Sequence, residues 1–342
     1  VYAKNRPEKN GSRGKILITE GEHPSVENAA AKLEADGFTV HRIPTRGGAL
    51  DLDDLEQATD DNVILAAMML VNNETGALYP IRTATDIIRR KSPGAHIHCD
   101  AVQGYMRVPF TPAALGVDTL SVSAHKIYAP KGAAALYVSQ DTIRKKRIVP
   151  VLYGGGQEGG LRSGTENVPA IAAFGAAARE GMEEADARAE KVSRLHDFLI
   201  GNLSGLVQIN TPECGADAIV NITLPNIKSE VMLRALSVKG IYISAGSACS
   251  ARAKKVSRPL LAFGLSERKN LPYSAARWSR NCTGWRGCGK GKTQLSRRRQ
   301  CATKTDLIYG RRIMIKVLVC PTRRIATPLP DISSCSKKYV IF

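Results

Sequence analysis

Long apolar runs are missing from this 342-residue chain. The strongest, "VILAAMMLV" (63–71), is too short to cross a bilayer as a helix. No basic-then-apolar leader opens the sequence, so the expectation is a soluble, cytoplasmic protein with no membrane partner. Cysteine is scarce where the chain is regular. Only Cys99, Cys214 and Cys249 fall within the first 251 residues, too few and too scattered for a disulfide framework. No internal repeat is present, and over those 251 residues neither sign of charge dominates, 27 Lys+Arg facing 28 Asp+Glu.

The last quarter reverses each of these statements. Residues 252–342 hold 22 Lys+Arg against 3 Asp+Glu, and so carry the whole of the +18 net charge. Five of the eight cysteines (Cys282, Cys288, Cys301, Cys320, Cys335) and both tryptophans lie there too. "RWSRNCTGWRGCGKGKTQLSRRRQCATK" (277–304) has neither a helical nor a strand period. Its "GCGKGKT" misses the phosphate-loop pattern by one residue and follows no strand. Cys282, Cys288 and Cys301 lack the paired C-x-x-C spacing of a zinc site, so no metal is expected. The run would bind nucleic acid only through charge, without specificity. A poorly ordered tail over 271–342 is the expectation. The loss of periodicity together with the charge jump is what a segment read in a shifted frame would show. The nucleotide sequence of the locus tests that hypothesis, and a gene with no regular, periodic tail in another frame would end it.

From residue 15 apolar runs alternate with amphipathic ones. "KILIT", "FTVHRIP", "VILAAMMLV", "AHIHCD", "DTLSVSA" and "GAAALYV" read as strands. "PSVENAAAKLEADG" opens on Pro24 and stops at Gly37, and "DLDDLEQAT" begins at a capping Asp51; both read as helices, as does 82–91. The alternation predicts an α/β fold, a mostly parallel sheet with helices on both faces. After a Gly-rich turn (153–167) a helical stretch over 169–203 is expected. Strands at "LVQIN", "AIVNITL" and "IYISA", with a helix at "SEVMLRALSVKG", then predict a smaller α+β domain.

Four stretches carry chemistry. In "SVSAHKIYAPKG" (121–132), Lys126 follows a strand among small residues, where a lysine can serve as a Schiff-base amine; taken alone, such a lysine is far more often a solvated surface residue. "HIHCDAVQ" (96–103) ends a strand at Asp100, suited to a protonated ring nitrogen but also to a helix cap, with Gln103 just beyond. His23 in "EHPSV" follows another strand, where an imidazole can lie over a ring or simply serve the turn. Cys249, in "ISAGSACSAR" (243–252), sits among small residues typical of a mobile loop; the residues alone leave it open between packing and nucleophile.

In this order, His23, "VNNETG", "HCDAVQ" and "SAHKIYAPKG", together with "GGGQEGGLRSGTENV" and "ISAGSACSAR", resemble the cysteine desulfurases. These are pyridoxal 5'-phosphate enzymes of fold type I in the class-V aminotransferase family, and the motifs together resemble the long-loop subfamily typical of general iron–sulfur assembly. The resemblance runs from about residue 15 to about 265. It implies that Lys126 holds the cofactor covalently and moves the Cα proton, that Asp100 pairs with the ring nitrogen, and that Asn73 and Gln103 bond the ring oxygen. It further implies that His23 stacks on the ring and shuttles protons, and that Ser123 and His125 bind the phosphate. Thr165, with Arg162 nearby, would reach the phosphate of the other subunit of a homodimer. The substrate would be L-cysteine, its sulfur passing to a Cys249 persulfide and then to an acceptor protein, an iron–sulfur scaffold or a tRNA-thiolation enzyme.

The pattern departs from the family at both ends. The family's N-terminal portion, with its phosphate-cradling Gly-Thr-Glu-type turn, has no counterpart in "VYAKNRPEKNGSRG". Near the other end only Arg277, in "SAARWSR", matches the arginine expected for the substrate carboxylate. The expected organisation is a large cofactor domain over 1–180, a small domain with the cysteine loop over 181–270, and the tail. Competing readings are a related lyase acting on selenocysteine or cysteine sulfinate, and an inactive remnant with a nonspecific basic tail.

Overall fold

The computed structural model describes residues 13–224, 227, 229–244, 258–264, 311–316 and 339–341. The first part alternates strictly: β1 (Lys15–Thr19), α1 (Pro24–Ala35), β2 (Thr39–Ile43), α2 (Leu52–Ala58), β3 (Val63–Met69), α3 (Ile81–Lys91), β4 (His96–Asp100), α4 (Pro112–Leu115) and β5 (Thr119–Ser123). Then follow β6 (Ala134–Val138), α5 (Gln140–Arg144), α6 (Val168–Glu183) and α7 (Ala185–Leu203). The remainder holds β7 (Gln208–Ile209), β8 (Ile219–Leu224), α8 (Ser229–Val238), α9 (Arg258–Ala262), β9 (Arg311–Lys316) and β10 (Tyr339–Ile341).

Seven strands form one sheet in the order β10-β6-β5-β4-β3-β1-β2. The five from β2 to β5 are mutually parallel, and β6 and β10 each run antiparallel to their inner neighbour. Parallel strands need crossover helices, and those helices cover both faces. Alternation along β1 shows it. Leu17 packs with Leu55, Ile87 and Ile88 on one side, while Ile16 and Ile18 pack with Ala30 and Phe38 on the other. Fully burying each such side chain contributes about 1.5–3 kcal/mol. The helix starts follow capping chemistry: Asp51 accepts the Asp54 N–H (2.9 Å), and His23, before Pro24, caps α1.

The second sheet, in the order β7-β8-β9, is antiparallel and packs Val220, Ile222 and Leu224 against Leu199, Ile200 and Leu203 of α7 and Met232 of α8. The helical stretch expected over 169–203 is two helices, parted at Glu184. No strand forms over 241–243; α8 closes at Gly240 and the exposed Ile241 and Tyr242 lead away from it. Within the stretch expected to lack regular structure, "RRIMIK" and "YVI" are strands, one beside β8 and one beside β6. Each is a short β-prone run that supplies an edge with a partner. Among the described residues no helix is long and apolar enough to cross a membrane, and no cluster of ligating side chains suits a metal ion.

Candidate active site

In a parallel sheet the carboxyl ends of the strands open together, and that edge is where ligands meet an α/β fold. Here β1, β3, β4 and β5 are consecutive neighbours. The segments leaving their carboxyl ends carry His23, Asn73, Asp100 with Gln103, and Ser123 with His125 and Lys126, respectively. Residues spread over about a hundred positions are thus brought to one edge by strand order alone.

Each is held by local chemistry. His23 caps α1: its Nδ1 accepts the Ser25 N–H (3.2 Å) and lies 2.8 Å from the Ser25 hydroxyl. Asn73 sits in the "NNETG" turn, closed by Asn72, whose Oδ1 accepts the N–H groups of Glu74 (3.0 Å) and Thr75 (2.9 Å). The small sheet braces this turn, since Asn221 Nδ2 donates to Glu74 O (3.1 Å) and the Ala216 N–H to Gly76 O (2.8 Å). Gly76 has φ +75°, and a Cβ there would come within 2.9 Å of Ile219 O, so only glycine fits. Asp100 ends β4, and its Oδ1 accepts the Val102 N–H (2.9 Å). Lys126 lies in a single 3₁₀ turn, Ala124–Ile127, ended by Tyr128 in the left-handed region. Ser123 Oγ is 2.8 Å from His125 Nδ1.

Burial divides the site. Asn73 and Gln103 are each 6% exposed, whereas His125 and Thr165 are exposed. Beside Ser123 and His125 an open depression of about 430 Å³ continues along Lys131 and Gly132. Gly132 and Ala133 also line a cavity of about 190 Å³ with Arg162, Gly164 and Thr165. Thr165 and Arg162 therefore lie against the turn after Lys126 of their own chain. Cys249 and Arg277 lie outside the described residues.

Two groups escaped the sequence reading. Glu22, 1% exposed, accepts the Met69 N–H at Oε1 (2.7 Å), is hydrogen-bonded to the Thr19 hydroxyl, and leaves Oε2 without a partner. Burial, reinforced by the Asp100 charge, pushes its carboxyl up to about 8. Nothing in "TEGEHP" signals that burial. Arg107 donates to Gln103 and to the Lys126 backbone, and its position four residues after Gln103 was the available signal. Burial also pushes the Cys99 thiol well up, which makes it a packing group and no nucleophile.

Pyridoxal phosphate is the group the resemblance implies, and the residues present suit it. Asn73 is buried with its side-chain oxygen unpartnered, so one end of the carboxamide is left for a bound group. A carboxylate, two carboxamides and a lysine meet at one strand edge, the donor set a charged heteroaromatic ring requires.

Comparison with known proteins agrees with this fold. The aminotransferase class-V family model matches residues 2–266. A cysteine desulfurase of Trichormus azollae is 39% identical over 259 residues, covering 73% of this chain. This chain spans only 62% of that relative's length. A solved NifS-like protein is 33% identical with a TM-score of 0.67, covering 74% of this chain and 66% of its own. The solved structure of SspA in complex with cysteine is 30% identical with a TM-score of 0.62, over 74% of this chain and 70% of that one. With the family model covering more than three quarters of the sequence, and the strand edge built as described, this chain belongs to the class-V aminotransferase family.

Proposed function

We propose that this chain carries out cysteine desulfuration with pyridoxal phosphate, L-cysteine giving its sulfur to Cys249 and leaving as L-alanine. The observation that carries the reading is the meeting of His23, Asn73, Asp100, Gln103, Ser123 and Lys126 at four neighbouring strand ends. The cysteine held by SspA, a relative 30% identical, supports the substrate.

The cofactor, when bound, supplies an electron sink for charge developing at the substrate Cα. Lys126 would hold it and take the Cα proton, Asp100 would keep its ring nitrogen protonated, and Asn73 and Gln103 would bond its ring oxygen. Ser123 and His125 would hold its phosphate, joined by Thr165, with Arg162 close by, from a second copy of the chain. Since His23 Nδ1 accepts the Ser25 N–H, its neutral ring carries the proton on Nε2, the nitrogen free to pass it on. The Cys249 thiolate attacks the substrate sulfur: the Cβ–S bond breaks, an Sγ–S bond forms, and the electron pair left on Cβ takes a proton. The persulfide then passes to a sulfur-acceptor protein, an iron–sulfur scaffold or a tRNA-thiolation enzyme. Arg277 would bind the substrate carboxylate. A homodimer is supported by the apolar Val151, Leu152 and Tyr153, exposed at 67%, 51% and 80% beside the Arg162–Thr165 loop.

The test adds L-cysteine and a thiol reductant to purified chain loaded with pyridoxal phosphate and measures L-alanine. Alanine should form, and Cys249→Ser should stop it while the cofactor stays bound. Undiminished alanine from Cys249→Ser would remove Cys249 as nucleophile; no cofactor band and no alanine from the unaltered chain would remove the activity.

A further inference from the structure

Arg107 lies in the run of turns after β4. The Tyr105 N–H bonds Ala101 O (2.8 Å) and the Val108 N–H bonds Gly104 O (3.0 Å), a helical spacing that sets residue 107 beside residue 103. Through Nη1 the guanidinium donates to Gln103 O (2.9 Å) and Gln103 Oε1 (3.1 Å), and through Nη2 to Lys126 O (2.9 Å). It is partly buried, and no carboxylate among the described residues stabilises its charge; burial holds its proton affinity below the ordinary arginine range. A cation so placed costs stability. The residue before it, Met106, has φ +61°, a conformation that disfavours any side chain. Strain and desolvation are both spent on a group that touches Gln103 and Lys126.

Arginine has donors only. Gln103 must therefore turn its carbonyl to Arg107, which leaves Nε2 as the outward donor. A cation on the carbonyl also polarises the amide and strengthens that donor. We infer that Arg107 is a positioning residue, one fork that fixes the donor end of Gln103 and the backbone of Lys126 relative to each other, so that a cofactor ring oxygen receives an N–H there rather than facing a carbonyl. This rests on the pyridoxal-phosphate reading above.

The test compares Arg107→Met, Arg107→Lys, Gln103→Ala and the Arg107→Met/Gln103→Ala double variant with the unaltered chain. The first readout is the pH midpoint of the bound cofactor's absorbance band, which a donor on the ring oxygen lowers. Arg107→Met should raise it by about one pH unit, the same as Gln103→Ala, and the double variant should raise it no further. Arg107→Lys should restore little, because an ammonium cannot fork. An unmoved midpoint in Arg107→Met while Gln103→Ala shifts, or additive shifts, would overturn the inference. If the unaltered chain retains no cofactor, the proposed function fails, and the inference is decided on the cofactor-free chain. There the side-chain amide signals of Gln103 under ¹⁵N-glutamine labelling, assigned by their loss in Gln103→Ala, should move in Arg107→Met. If they stay in place the inference is wrong. Should Arg107→Met not fold, Arg107→Lys is read by the same two signals.

Discussion

The two ends of the candidate site are built on opposite plans. At the β3–β4 side, Asn73, Gln103 and Glu22 are buried, and backbone amides, the small sheet and Arg107 hold them in place. At the β5 side, His125 is exposed on an open depression and Thr165 on the smaller cavity beside it, next to three uncovered apolar residues. A ring needs fixed donors at set angles, which one chain's strand ends can supply. The open side is left for something else to complete, and a second copy of this chain is the candidate proposed above.

The sharpest way to break that comparison is at the residue between the two ends. Lys126→Ala should abolish the retained cofactor band completely, as read by absorbance after dialysis; a band that persists would show that Lys126 does not hold the cofactor. A smaller effect is expected at the open end. Replacing Val151 and Tyr153 by Ser should shift the sedimenting species from dimer to monomer and weaken cofactor retention about tenfold, roughly 1.4 kcal/mol. Unchanged sedimentation with unchanged retention would mean that one chain completes the open end by itself.

How much of this was legible beforehand varied with the range of the interaction involved. The parallel sheet was plain because β1, β3, β4 and β5 are short apolar runs set between helices with Pro24 and Asp51 at their starts. Lys126, Asp100 and His23 each end or follow such a run, but only the motifs around them, taken together in order, single them out. Three features were hidden, two of them because they depend on partners remote in sequence. β9 pairs with a strand about ninety residues upstream, and nothing in "RRIMIK" names that partner. The break at Glu184 is local, three residues after Gly181, and a lone glycine within a helical run does not by itself mark an end. Glu22, a carboxylate beside a histidine, reads as a surface residue until β3 closes over it.

Glu22 sharpens the comparison from the buried end. Burial, then the charge of Asp100, raises its carboxyl from 4.5 to about 8. Below pH 4.5 folded and unfolded chains both carry its proton, and its contribution is fully present. As pH rises to about 8 the unfolded chain releases the proton while the folded one keeps it, so stability falls and then levels off. Glu22→Gln keeps an acceptor for the Met69 N–H and removes the titration. It should leave stability near pH 4 little changed and raise it by roughly 2–4 kcal/mol at pH 8 in urea unfolding. A variant no more stable at pH 8 than the unaltered chain would show that the buried end carries no such cost.

The smallest effect lies in β4 of the same sheet and has the opposite sign. His96 Nε2 and His98 Nδ1 both meet Thr119 Oγ1, at 2.9 and 3.0 Å. Burial lowers both imidazoles from 6.5 to about 4, against the pull of Asp118 on His96 and of Asp100 on His98; Arg89 and Arg147 also face His96 and push the same way as burial. Their contribution is therefore fully present above pH 6.5 and is lost as pH falls towards 4, because the unfolded chain takes protons the folded one refuses. Between pH 4.5 and 6.5 the histidines and Glu22 tilt stability in opposite directions and partly cancel. In the Glu22→Gln background the histidine slope should stand exposed, with stability rising more steeply with pH than in the unaltered chain. Adding His98→Gln should then flatten it by about 1–2 kcal/mol over that range. A slope that His98→Gln leaves unchanged in that background would mean that this imidazole titrates normally.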